Sequence, residues 1–147
     1  MNIKVKLMRT GAKLPHRAHS TDAGADIFYC PTDNKVKLLH PGESSMIPTG
    51  VRTEIPTGYM LEVKNKSGIA SKRQLIVGAC VIDSGYDGEI FVNLHNIGLG
   101  TQVVNPGEKV AQVVLVPVKT CTFAEAKGKI NDSSSRGDGG FGSTGVS

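Results

Sequence analysis

The chain has 147 residues, 17 Lys+Arg against 13 Asp+Glu, a net charge of +4 and three cysteines. That length suits one domain with a core of ordinary size. The mildly basic, scattered charge argues against a dedicated nucleic-acid binder and fits an anionic small molecule, and an odd, widely spaced cysteine set without C-x-x-C argues against a disulfide framework or a zinc site.

The N-terminal MNIKVKLMRTG has no apolar h-region, and no run reaches membrane-spanning length. The expected setting is cytoplasmic, or nuclear or viral depending on the source, and not secreted, with no membrane partner. IKVKLM alternates as a strand does. KVKLL after Asn34, then YMLEVK, LIVGACVI, EIFVNLHN and KVAQVVLVPV, continue in the same Val- and Ile-rich manner. Turn signals separate them: PTDN, HPGE, IPTG, SGYDG, IGLG and NPGE. PGE recurs at Pro41 and Pro106 and IPTG at Ile47 and Ile55, as repeated turn chemistry without matching flanks. SGIASKRQ predicts one or two helical turns opened by Ser67, and FAEAKGK is a weaker helical stretch. Short strands with dense turns predict an all-β fold, a jelly-roll-like β-sandwich or barrel. With aromatics at 5% and no Trp, its core should be aliphatic. So many strand edges need covering, and oligomerisation is one way to do it. Residues 1–130 form the expected β-rich domain. Residues 131–147 read as a Gly/Ser-rich arm, flexible until a ligand orders it.

Within this frame, VIDSGYDGEIFV (Val81–Val92) reads as a β-hairpin with Asp83 closing its first strand and Tyr86 in its turn. Such an Asp usually caps its own turn. The other reading is a carboxylate at a pocket mouth beside a tyrosine ring, where an ordinary ionised Asp accepts a proton from water. NKSGIASKR places Ser67 and Gly68 after a strand among cations, an arrangement whose N–H groups suit phosphate; a solvated loop with an N-cap serine explains it as well. No Walker motif is present. In PGEKVAQVVLV, alternation puts Gln112 on the face of Val110, where an amide needs a partner or a ligand. His16 and His19 have H-x-x-H spacing but no third ligand, His40 precedes a turn and His95 ends a strand, so none is assigned chemistry. The tail RGDGGFGSTG (Arg136–Gly145) carries one large apolar residue, Phe141, among glycines. An integrin-type use of RGD is disfavoured without a secretory signal. A ligand-closing arm makes better sense, because Phe stacks on a base for ~1–3 kcal/mol, while glycine N–H groups, Arg136, Ser143 and Thr144 donate to phosphate.

Five segments taken together, AGADIFYC (Ala23–Cys30), NKSGIASK (Asn65–Lys72), GACVIDSGYDGEI (Gly78–Ile90), PGEKVAQ (Pro106–Gln112) and RGDGGFGSTG, resemble in order the five motifs of the trimeric dUTPase family, the deoxyuridine triphosphate nucleotidohydrolases. Each alone is weak; the ordered set over nearly the whole chain is specific. The resemblance implies a homotrimer with active sites between subunits. It implies Mg²⁺-dependent hydrolysis of dUTP to dUMP and pyrophosphate, which limits uracil entry into DNA and supplies dUMP. The metal would be held by triphosphate and water, with no direct protein ligand. Asp83 then matches the carboxylate that activates water against the α-phosphorus, and Tyr86 the ring beneath the deoxyribose that leaves no room for a 2′-hydroxyl. The segment of Cys80, Val81, Ile82 and Phe91 matches the one that reads uracil through backbone groups. Lys66, Ser67, Gly68 and Gln112 fall on the phosphate contacts. Arg136, Phe141, Gly142, Ser143 and Thr144 match the arm that closes the site.

The chain departs from that pattern at Lys66, where the family usually has Arg and its bidentate fork. Cys80 stands where glycine is common, and Asp87 where a basic or neutral residue is usual. Two alternatives accompany the resemblance. One is a dCTP deaminase-like enzyme of the same fold, for which Glu89 is the extra carboxylate. The other is a nucleotide-binding regulatory protein with weak catalysis, suggested by Lys66, whose protein partner would be unknown.

Overall fold

The architecture follows from short β-branched runs ended by turns, and the computed structural model describes residues 1–128 and 130. In chain order the elements are β1 (Lys4–Leu7), β2 (Ala25–Phe28), β3 (Lys37–Leu39), β4 (Ser44–Pro48), β5 (Val51–Glu54), β6 (Tyr59–Lys64), α1 (Ser67–Arg73), β7 (Leu75–Val77), β8 (Val81–Asp83), β9 (Phe91–Asn96), β10 (Gln102–Val104) and β11 (Lys109–Pro117). The strands form a four-stranded sheet in the order β2-β11-β6-β8, a three-stranded sheet β4-β9-β7, and the ribbons β1-β5 and β3-β10. Every pairing is antiparallel. The fold is all-β, as expected. The tail residues Arg136, Phe141, Gly142, Ser143 and Thr144 lie outside the described residues.

Alternation along the strands builds the core. In β9, Val92, Leu94 and Asn96 point inward while Phe91, Asn93 and His95 point outward. Residues from both main sheets, Ile27, Val63 and Ala111 with Ile47, Leu75 and Val92, join one aliphatic cluster. Tyr29 is its buried aromatic, and its hydroxyl donates to the Lys35 carbonyl at 3.0 Å. Asn96 is buried but satisfied: its Nδ2 donates to the Leu39 and Gly100 carbonyls at 2.9 and 2.8 Å, and its Oδ1 accepts from Gly98 N–H at 2.9 Å. The repeated turns share one cause. Gly50 and Gly58 in the IPTG turns have φ of +67° and +85°, a region that only glycine enters freely.

Several expectations are corrected. Val81–Val92 is not a hairpin, because β8 pairs with β6 while β9 pairs with β4 and β7. LIVGACVI is likewise two strands in two sheets, parting at Gly78. The chain therefore leaves the β4-β9-β7 sheet, follows the edge of the other sheet for the three residues of β8, and returns. Local turn signals cannot tell this excursion from a hairpin. Lys66, not Ser67, is the N-cap of α1, and no side chain caps the helix. The described part of FAEAKGK, residues 123–128, forms no helix, and Phe123 is exposed. Strict alternation in β11 fails at a register shift between Lys109 and Ala111, so Val110 and Ala111 are both buried. The strands β2, β4, β5 and β10 are additions to the sequence reading.

Candidate active site

The β8 excursion shapes a recess of about 210 Å³, walled by Val81, Asp83 and Tyr86 on one side and by Met46 and Phe91 of the other sheet on the other. Ile82 points into the core while Val81 and Asp83 face outward, as a three-residue strand at a sheet edge dictates. The Val63 N–H donates to the Cys80 carbonyl at 2.8 Å, and the Cys80 thiol turns back to the Gly78 carbonyl at 3.2 Å. Cys80 thus keeps its side chain on its own backbone. Asp83 is exposed, and among the described residues its carboxylate takes no ion pair or side-chain hydrogen bond.

The other acids nearby are committed. Glu89, with a side chain 9% exposed, receives both terminal nitrogens of Arg9 and the Gly50 N–H at 2.7 Å. Burial alone would raise its pKa, but the bonds from Arg9 and Gly50 outweigh burial and hold the carboxyl below its usual range. Tyr86 is half exposed and donates to the Glu89 backbone carbonyl at 2.7 Å. Asp87 turns away to Arg52 on β5 at 3.2 Å.

A second recess, of about 260 Å³, is lined by Gly24, Asp26, Lys66 and Gln112 among others. The Asp26 side chain is 7% exposed and holds the ammonium groups of Lys66 and, at 2.8 Å, Lys109. Burial pushes the Asp26 pKa up, yet the hydrogen bonds from Lys109 and Lys66 outweigh it and leave the carboxyl below its ordinary value. Gln112 donates from Nε2 to the Asn65 carbonyl at 2.8 Å. A Cβ at Gly24 would meet the Gln112 carboxamide and displace it. Ser67 and Gly68, the first residues of α1, follow Lys66 on the exposed side. Among the described residues no group of His, Cys, Asp and Glu could cage a metal ion. The lining sets ammonium and amide groups beside two carboxylates, Asp26, held by Lys66 and Lys109, and Asp22, which accepts from the His19 N–H; such a set fits a magnesium ion held by substrate oxygens and water.

The two recesses do not meet within one chain. β6 lies between them, with Met60 opposite Asp83 and Lys64 opposite Gln112. Four residues of strand and two strand spacings separate the positions, ~13 Å along the sheet and ~10 Å across it. The structure thus groups Lys66 with Gln112, and Asp83 with Tyr86, Val81, Ile82 and Phe91, but keeps the groups apart. Asp26, Lys109, Gly24 and Arg9 are additions that the sequence reading did not single out. Asp26 had a signal, a charge flanked by apolar residues in ADIF.

A family model described as dUTPase matches residues 10–145. The deoxyuridine 5′-triphosphate nucleotidohydrolase of Chlamydia trachomatis is 39% identical over 140 residues, 94% of each chain. That of Clostridium tetani is 39% identical over 145 residues, 97% of this chain and 96% of the relative. Among solved structures, the dUTPase of Staphylococcus bacteriophage 80alpha with dUpNHpp is 32% identical, covers 99% of both chains and superposes with a TM-score of 0.87. A mutant dUTPase from phage phi11 of S. aureus, described with a structural Mg(II) ion, is 29% identical, with a TM-score of 0.79 over 89% of this chain and 100% of that one.

Proposed function

This chain belongs to the dUTPase family and is a dUTP diphosphatase, and we propose that Asp83 activates the water that attacks the α-phosphorus of dUTP, releasing dUMP and pyrophosphate. The observation that carries the assignment is the state of the two carboxylates at the β8 recess. Asp83 is exposed and uncommitted among the described residues, whereas Glu89 is bound to Arg9 and Gly50. A deaminase-like use of Glu89 would require it to leave those partners, so hydrolysis through Asp83 is the better reading.

The remaining roles follow as parts of the same proposal. Those backbone groups of the Cys80, Val81 and Ile82 segment that β6 leaves free, Val81's foremost, read uracil at the edge of β8, with Phe91 closing the wall. Tyr86 lies beneath the deoxyribose. Lys66, Ser67, Gly68 and Gln112 contact the triphosphate. Lys66 starts from an ion pair with Asp26, so it reaches phosphate only by sharing or leaving that carboxylate. Magnesium, held by the triphosphate and water, would supply charge neutralisation at the phosphate oxygens. Arg136, Phe141, Gly142, Ser143 and Thr144 close the site from the arm of residues 131–147, and water exclusion follows closure. The gap between the two recesses supports a homotrimer in which one subunit's Asp83 faces another's Gln112. Among the described residues no helix is long and apolar enough to cross a membrane, and action on the cytoplasmic nucleotide pool accords with the substrate.

The test is pyrophosphate release with Mg²⁺ from dUTP, dCTP, dTTP and UTP, for the wild type and Asp83→Asn. Turnover confined to dUTP and reduced ~10²–10⁴-fold in the variant, with nucleotide still bound, is the expected result. Binding without turnover in the wild type would instead favour the regulatory reading.

A further inference from the structure

We infer that Gly88 and Glu89 are positioning residues for sugar selection, with Arg9 acting through Glu89: together they hold the Tyr86 ring in the one plane from which it excludes a 2′-hydroxyl. The inference deepens the preceding reading and rests on its placement of Tyr86 beneath the deoxyribose.

Tyr86 is 46% exposed, and a ring so open to solvent ordinarily samples several rotamers. A wall that must tell hydrogen from hydroxyl cannot. Two contacts remove the freedom. The phenol donates to the Glu89 carbonyl at 2.7 Å, which ties the far end of the ring. The ring also lies against Gly88, where a Cβ would stand 2.5 Å from the phenolic oxygen, 2.6 Å from Cζ and 3.0 Å from Cε2. Any side chain at position 88 displaces the ring or breaks that hydrogen bond.

The Glu89 carbonyl is a firm anchor because the residue is held at both ends. Its carboxylate takes the Arg9 fork and the Gly50 N–H. Arg9 donates further to the Cys30 carbonyl at 2.8 Å. The next residue, Ile90, gives its N–H to the Val51 carbonyl at 2.8 Å and accepts the Thr49 hydroxyl at 2.6 Å. Three separate stretches of chain, after β1, after β2 and at the β4–β5 turn, therefore converge on the residue that orients Tyr86. Apolar packing alone would hold the loop's position, but only directional, charge-assisted bonds fix the rotation of a carbonyl. The ionised state of Glu89, kept by those same partners, preserves this mount at neutral pH.

The experiment measures kcat/KM for dUTP and for UTP, with the thermal midpoint, in the wild type, Tyr86→Ala, Gly88→Ala, Glu89→Gln and Arg9→Lys. Tyr86→Ala tests the underlying reading, and an unchanged dUTP:UTP ratio there would overturn it. If that ratio collapses as expected, Gly88→Ala and Glu89→Gln should each lower it by ~10–100-fold, the scale on which a ~1 Å misplacement acts. Arg9→Lys keeps the charge without the fork and should lower it less. The ratio is the readout because a merely structural loss slows both substrates alike. Glu89→Gln is nearly isosteric and carries the test even if Gly88→Ala does not fold. A ratio unchanged in Glu89→Gln, with Tyr86→Ala unselective, would overturn the inference and leave the Tyr86 reading standing.

Discussion

Single residues divide the acids of this molecule by the company they keep. Asp83 faces solvent, Asp26 holds two ammonium groups and Glu89 a guanidinium. The last two are both depressed below the ordinary carboxylate range. A depressed folded-state pKa adds stability that is fully present above the unfolded value, about 4, and is lost as pH falls through the folded value. The thermal midpoint should therefore stay level from neutral pH to about 5 and fall below about 4. Asp26→Asn should flatten that fall, and a midpoint with the same acid slope in the variant would remove Asp26 from its cause. Gly24→Ala probes the phosphate side. Its Cβ displaces the Gln112 carboxamide from Asn65, and KM for dUTP should rise about tenfold, as one lost hydrogen bond of ~1.4 kcal/mol implies. An unchanged KM would place Gln112 outside the triphosphate contacts.

Elements show how far the sequence could be read. Val- and Ile-rich alternation located β1, β3, β6, β9 and β11, and the glycines of the turn motifs announced their breaks. β2, β4, β5 and β10 are only three to five residues long, too short to show a period. SGYDG looked like a hairpin turn because strand pairing is chosen by distant residues, here Met60–Glu62 for β8. The signal at Asp26, a charge among apolar residues, could not name its partners for the same reason: positions 66 and 109 lie far along the chain. The placing of Asp83 and Tyr86 side by side was legible through motif order, although the hairpin assigned to them was not. For the arm, deleting residues 131–147 should leave the circular dichroism spectrum unchanged and abolish most turnover. Full activity in the truncated protein would detach the arm from the reaction.

At the scale of the whole molecule, the separation of the two recesses ties the proposed catalysis to assembly, one subunit's Asp83 needing another's Gln112. Light scattering should give a mass three times the 15.5 kDa chain. Mixing Asp83→Asn with Gln112→Ala subunits, after denaturation and refolding together, should restore activity that neither has alone, because some mixed sites then combine an intact Asp83 with an intact Gln112. No recovery would return the site to a single chain. The β8 excursion adds a consequence of another kind. The walls of the base recess belong to different sheets, Val81 and Asp83 to one and Met46 and Phe91 to the other. The width of that slot is set by how the two sheets seat on the aliphatic cluster they share. Fidelity toward the nucleotide pool is thereby tied to the core: a change of packing between the sheets alters which base fits without touching a residue that meets it.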